Sequence, residues 1–290
     1  MKIKQVIIEG VMKFSVSKNK IIIPKPCDFN PAQTLSCGQM FRYKINGNAC
    51  EVCSGANYAK IIETENKITI ETKNTDYFIS FFDFARDYSK IQKELKTDPI
   101  IKKALPYGNG IKIAKGDIIE VLFSFVISAN NNIPRIQKII EKLCAYGKDY
   151  KTYRAFPTLE ILSKLPLEAY SSLGAGYRDK YLFKLSRELI GVNLKEKEKL
   201  ETKELKKWLI SLPGVGPKVA DCVLLFGFNR FDVFPTDTWV EKLYKTYYYC
   251  GEKTRPQIAE FFVDKFKNNA GIAQQYLFNF MRNFDNKKAG

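Results

Sequence analysis

The chain of 290 residues contains no histidine. That excludes imidazole general bases, His-containing nucleophile triads and most catalytic zinc sites. Any nucleophilic or acid–base chemistry falls to Lys, Asp, Glu, Cys, Tyr or Ser. No apolar run reaches the roughly 18 residues of a membrane-spanning helix. The opening MKIKQVIIEGVMKF lacks the extended apolar segment of a secretory leader. Cysteine is scattered over Cys27, Cys37, Cys50, Cys53, Cys144, Cys222 and Cys250, an odd set that reads as reduced intracellular thiols. Cys50 and Cys53 form a lone CxxC pair, and a zinc site would need two further ligands that no spacing supplies. A soluble cytoplasmic protein is expected.

Lysine and aromatic residues are abundant instead. There are 47 basic against 31 acidic residues, a net charge of +16, with 13% aromatic and 45% hydrophobic residues. Such a chain can bury a full core, and its charge points to a polyanionic partner, nucleic acid before membrane. Scattered surface lysine would give the same balance without any partner.

The first third alternates as strands do: Lys4–Glu9, Lys13–Val16, Lys20–Ile23, Phe41–Ile45, Cys50–Cys53, Ala59–Thr64 and Lys67–Thr72. A short helix over Asn30–Cys37 interrupts them. From about Thr75 the period becomes helical. Helices are expected at Arg86–Thr97, Asp117–Ala129, Ile133–Tyr146, Thr158–Lys164, Leu167–Ser172, Arg178–Leu189, Thr202–Ser211, Pro217–Phe228, Trp239–Tyr249, Arg255–Asn268 and Gly271–Phe284. The fold class is α+β. An N-terminal antiparallel β-sheet domain (residues 1–112) precedes a larger all-helical domain (113–290), with a helix–hairpin–helix at 203–228.

The hairpin LPGVGPKVADC, Leu212 to Cys222, carries the sharpest chemistry. Gly214 and Gly216 permit positive φ and close backbone approach. Pro217 suits the first helical position, and the free amides beyond it suit a phosphate. A plain turn between packed helices is the bland reading. Lys218 sits where the helix dipole disfavours a cation. That position and partial burial both penalise the ammonium, and a neutral amine is a nucleophile that can form a Schiff base. Lys218 shares a face with Cys222, and a surface ion pair with Asp221 is the alternative use of its charge. Nineteen residues on, Asp237 in FPTDTW stands at a helix N-cap, free also to stabilise a developing cation.

These residues resemble the helix–hairpin–helix DNA glycosylases, and within them the 8-oxoguanine DNA glycosylase/AP lyases. SCGQMFRY (Ser36–Tyr43), FSFVISANNNIPRI (Phe123–Ile136), LGAGYRDKY (Leu173–Tyr181) and AQQYLF (Ala273–Phe278) extend the match over most of the chain. The resemblance implies a duplex DNA partner containing 8-oxoguanine, a base flipped into a pocket, Lys218 as nucleophile at the sugar C1′, and Asp237 as stabiliser of the transition state. It places Cys222 and Phe278 on the two faces of the base, Gln274 at its Watson–Crick edge, and the Gly38 carbonyl at the N7–H that guanine lacks. Asn130 would fill the emptied stack. Arg135 and Arg178 would hold the orphaned cytosine, with Tyr177 wedged beside it. Gly214, Gly216 and Val219 would face the DNA backbone.

No cofactor is required and no iron–sulfur cluster is expected, since only Cys250 follows the hairpin. A structural cation is expected on the carbonyls of Ile210, Leu212 and Val215. The chain departs from many relatives in carrying Trp239 where a histidine would lie near the DNA backbone. A monomer, nucleoid-associated through DNA, is implied. Two other functions remain open: a glycosylase for alkylated or mismatched bases, and a non-catalytic DNA-binding module.

Overall fold

A computed structural model describes residues 4–8 and 12–288, with side chains from 12 to 283. Glu9 of the first expected strand lies outside the described residues. The strands are β1 (Lys4–Ile8), β2 (Met12–Ser17), β3 (Lys20–Pro24), β4 (Tyr43–Asn46), β5 (Ala49–Ser54), β6 (Asn57–Glu63) and β7 (Lys67–Thr72). They form one antiparallel sheet in the order β1-β2-β3-β7-β6-β5-β4. Alternation sets the register: Ile21 pairs with Ile70, and Ile70 with Ile61, so one buried row crosses three strands.

Helix α1 (Pro31–Ser36) interrupts the strands. It is followed after β7 by α2 (Thr75–Phe81), α3 (Tyr88–Leu95), α4 (Pro99–Ala104), α5 (Ile118–Ser128), α6 (Ile133–Cys144), α7 (Leu159–Lys164), α8 (Leu167–Ser171) and α9 (Arg178–Glu188). Next come α10 (Leu194–Lys197), α11 (Thr202–Ser211), α12 (Pro217–Phe226), α13 (Thr238–Leu243), α14 (Arg255–Phe266) and α15 (Ala270–Lys288). Local chemistry sets many of the starts. Asn30, Asp87, Asp98, Asp117 and Asn132 each cap the helix that follows by accepting its first amides.

Several bounds differ from the sequence expectation. The helix expected from Arg86 begins at Tyr88, because Arg86 and Tyr88 both turn back to the Asp83 carboxylate, at 2.5 and 2.9 Å. The helix expected over Trp239–Tyr249 is α13 followed by a π turn over Tyr244–Tyr248.

Two apolar cores result. One joins the buried sheet face to Phe78, Phe81, Phe82 and Phe84. The other takes in α5, α12 and most later helices, and it includes Tyr88, Leu95 and Ile101. Helix α3 and helix α4, the latter not among the helices expected from the sequence, both fall within residues 1–112, yet they pack with the helical body. Arg42, just before β4, reaches Glu120 of α5 at 2.9 Å, and the Gly55 amide donates to the same carboxylate at 2.7 Å. This buried ion pair ties sheet to helices. Among the described residues no helix is long and apolar enough to cross a membrane.

Candidate active site

The hairpin joins α11 to α12. Val215 donates its amide to the Leu212 carbonyl at 3.2 Å, closing the turn. Gly214 has φ +78°, and a Cβ there would stand 2.8 Å from Cβ of Tyr181. Packing on α9 thus demands a glycine. Gly216 is different, because a Cβ there would meet nothing within 4 Å. Its α-carbon faces open space, as a surface for an approaching backbone should. The amides of Gly216, Lys218 and Val219 take part in none of the described hydrogen bonds. The Val219 side chain is buried, so only its amide is available to a partner.

Lys218 leaves this first turn half-buried, its Nζ 5.2 Å from the ring centre of Phe125 on α5. Phe125 in turn stacks on Phe226 and meets Phe41 edge-on. An aromatic floor therefore lies under the amine, a role for Phe125 that its apolar surroundings in the sequence did not reveal. One helical turn on, burial pushes the Cys222 thiol up to about 11. The Lys218 cation pulls it back, and Asp221 and Asp237 push it up. Lys218, Cys222 and Asp237 thus share one electrostatic neighbourhood, and the thiol is neutral at physiological pH. The alternative pairing of Lys218 with Asp221 is not formed. Asp221 is buried and paired with Lys206 of α11 at 2.7 Å. Asp237 caps α13, accepting from Trp239 N at 2.9 Å and Val240 N at 3.1 Å. Both bonds fall on Oδ1, so capping does not consume the second oxygen.

The expected base-binding residues come from both ends of the chain. Gly38 follows α1 with φ +87°, and a Cβ built on it would lie 3.2 Å from the Phe278 ring. Phe278 is only half-buried on a helix whose neighbouring positions are buried, which aims its ring at this site. Gln274, one turn earlier, donates to the Pro235 carbonyl at 3.1 Å and accepts from Gln275 at 3.1 Å. Two described cavities lie away from these residues: one of about 470 Å³ is lined by Asp98 and Lys265, and one of about 270 Å³ by Arg42, Tyr58 and Tyr153. A third, of only about 20 Å³, is bordered by Gln39, Phe41 and Phe125.

A half-buried lysine at a hairpin helix, a capping aspartate and a glycine–phenylalanine approach thus make up the site. Residues 123–268 match the family described as HhH-GPD superfamily base excision DNA repair protein. Residues 21–122 match the 8-oxoguanine DNA glycosylase N-terminal domain. The chain belongs to the HhH-GPD superfamily, in its 8-oxoguanine DNA glycosylase branch. The Clostridium acetobutylicum 8-oxoguanine glycosylase/lyase, solved with duplex DNA containing cytosine opposite 8-oxoG, is 32% identical. That similarity covers 95% of this chain and 99% of the other, with a TM-score of 0.88. The N-glycosylase/DNA lyase OGG1 of Arabidopsis thaliana is 34% identical over 201 residues, 63% of this chain and 55% of that protein. The N-glycosylase/DNA lyase of Saccharomyces cerevisiae is 34% identical over 173 residues, 53% of this chain and 46% of its own. The match thus spans about half the length of these two curated relatives. The 3-methyladenine DNA-glycosylase of Archaeoglobus fulgidus shares the fold at 16% identity and a TM-score of 0.74.

The residues expected beside an orphaned base are only partly placed as expected. Asn130 is exposed and left-handed, with φ +48°. Arg135 is exposed and spends one guanidinium nitrogen on the Gly174 carbonyl at 3.2 Å. Tyr177 is 60% exposed and meets Tyr181 edge-on. Arg178 departs from expectation, being only 4% exposed. It donates to the carbonyls of Ala129, Asn130 and Ala175, the last two at 2.9 and 3.0 Å. In the free protein it clamps the Asn130 turn rather than facing a partner. Trp239 packs against the helical core with Lys242 Nζ 5.9 Å from its ring centre.

Proposed function

We propose that this protein removes 8-oxoguanine from duplex DNA, preferentially opposite cytosine, and nicks the resulting abasic strand. The observation that carries the reading is Lys218 over Phe125, in the electrostatic neighbourhood it shares with Cys222 and Asp237, at a hairpin where the amides of Gly216, Lys218 and Val219 take part in none of the described hydrogen bonds. The Lys218 amine, once deprotonated, bonds to C1′ as the C1′–N9 bond breaks, and the electron pair leaves with the base. Asp237 stabilises the positive charge that builds on the sugar. Opening of the sugar ring gives an imine. Loss of a C2′ proton and of the 3′ phosphate then cleaves the strand, and water releases the lysine.

The open face of Gly216 and the free amides of the hairpin support a phosphate contact there. A structural cation on the hairpin is part of the proposal. The carbonyls of Ile210 and Val215 accept none of the described hydrogen bonds, and that of Leu212 accepts only the Val215 amide, so the three are available to an oxygen-coordinated ion. It would hold the turn in shape and take no part in bond making. A cytoplasmic, nucleoid-associated monomer fits this role.

Borohydride trapping on 8-oxoguanine duplex tests the reading, because it captures the imine. Wild type should form the covalent adduct. Lys218→Gln should form none and release no base, with duplex binding retained. Full trapping by Lys218→Gln would overturn the assignment, and binding without any chemistry in wild type would favour a non-catalytic DNA-binding module.

A further inference from the structure

Gly38 and the residue after it share a peptide plane. The Gly38 carbonyl belongs to the rigid unit that ends at the Gln39 α-carbon. On its other side that unit hinges at a glycine with φ +87°, which restrains it little. Whatever holds Gln39 therefore aims the Gly38 carbonyl.

Gln39 is held firmly. Only 1% of it is exposed, although it is polar and uncharged and lies next to a half-open glycine. Its Nε2 donates to the Thr34 carbonyl at 2.7 Å and to the Lys112 carbonyl at 2.8 Å. Its Oε1 accepts from the Ala114 amide at 2.9 Å. Both amide protons and the carbonyl are thus used by backbone groups alone. The Thr34 hydroxyl continues the lattice, accepting from the Lys112 amide at 3.2 Å. The segment Gly110–Ala114 is itself anchored, since the Ile113 amide donates to the Tyr88 hydroxyl at 2.8 Å and Lys112 Nζ pairs with Asp28 at 3.0 Å. A second tie comes from α15, where Arg282 donates to the Ser36 carbonyl at 3.1 Å. Phe278 stands four residues earlier on that helix. The glycine and the ring it touches are therefore locked to one frame by Gln39 and Arg282.

We propose that Gln39 is the positioning residue that sets selectivity for the oxidised base, by fixing the direction of the Gly38 carbonyl. The inference rests on the glycosylase reading above, and on the contact of the Gly38 carbonyl with the N7–H that the family resemblance implies. It goes beyond both, because it assigns discrimination to a side chain that never touches the base. A single acceptor can tell N7–H from an unprotonated N7 only if it is held in place. A rotating peptide would present an amide donor as readily as an acceptor, and guanine N7 accepts.

The test compares two steps at the same Lys218. Excision of 8-oxoguanine needs the aimed carbonyl, whereas strand nicking at a preformed abasic site has no base to read. Gln39→Met keeps the length and removes all three bonds. Gln39→Glu keeps the acceptor for Ala114 and sets a carboxylate against two carbonyls. Single-turnover excision from 8-oxoguanine:cytosine duplex, competition by guanine:cytosine duplex and nicking of an abasic duplex are measured alongside thermal melting.

The loss of one positioned hydrogen bond should lower excision and 8-oxoguanine-over-guanine preference by roughly ten- to hundredfold in Gln39→Met. Nicking should change less than about threefold on the same scale. Gln39→Glu should show the same split. A proportional loss of excision and nicking in a variant that melts as a folded protein would overturn the proposal, as would unchanged preference in both. If Gln39→Met fails to melt cooperatively, Gln39→Glu decides by the same ratio. Wild type reports separately on the enzymatic reading: absence of excision there, with guanine and 8-oxoguanine bound alike, would remove both.

Discussion

At the scale of single residues, three polar groups divide differently between fold and function. Asp237 caps α13 through one oxygen, and the cap leaves the other for the proposed chemistry. Asn caps about as well as Asp. Asp237→Asn should therefore melt within about 1 kcal/mol of wild type and lose most of its single-turnover excision rate. An unchanged rate would leave Asp237 a cap alone. The two arginines should separate in the same way. Arg135 is exposed and holds one carbonyl, so Arg135→Ala should fold normally and lose preference for cytosine over adenine opposite the lesion, a bidentate contact being worth about 1–3 kcal/mol. Arg178 is buried on three carbonyls, so Arg178→Ala should lower the melting temperature and weaken excision opposite either base, because the Asn130 turn loses its clamp. Equal behaviour of the two variants in melting and opposite-base assays would contradict this division.

At the scale of the element, the hairpin uses its glycines for different reasons. Gly214 is left-handed and crowded by Tyr181, while Gly216 has ordinary φ and no neighbour within 4 Å. Gly214→Ala should cost about 1–3 kcal/mol of folding stability through backbone strain, with more from the clash. Gly216→Ala should leave melting unchanged, since its backbone suits any residue, and weaken duplex binding by intruding where the DNA backbone would lie. Melting and binding titrations on the pair check both halves. The hairpin was legible because Gly, Pro and Lys act locally there. The wall of the pocket from α15 was legible only through the family motif AQQYLF, since an apolar helix in sequence does not say which of its phenylalanines stays half-open. Phe125, Gln39 and Arg282 were not assigned roles, because the contacts that matter join residues far apart in the chain.

At the scale of the molecule, the Arg42–Glu120 pair fastens the sheet to α5. Burial pushes the Glu120 carboxyl up and the neighbouring guanidinium opposes it. A carboxyl raised in the folded state holds its proton more tightly than in the unfolded chain. Its contribution is greatest below the unfolded value and is lost as pH rises through the folded one. Arg42→Met strips the opposing cation and widens that window. It should cost about 3–5 kcal/mol near neutral pH and less near pH 4, with Arg42→Met combined with Glu120→Gln recovering part of the loss. Melting across pH tests the sign: destabilisation that grows on acidification would refute it.

The sequence by itself determined the α+β class, most helix starts, the absence of histidine chemistry and the hairpin with its lysine. These depend on periodicity, capping and turn residues, all of which act over a few positions. Tertiary structure alone decided that Asp221 answers Lys206 and not Lys218, that Arg178 turns inward, and that α3 and α4 join the helical core. It also set Gly38 against Phe278 across 240 positions of chain. Burial selects among partners that local pattern leaves equivalent, because a desolvated charge or amide must take whichever complementary group the packing brings within reach.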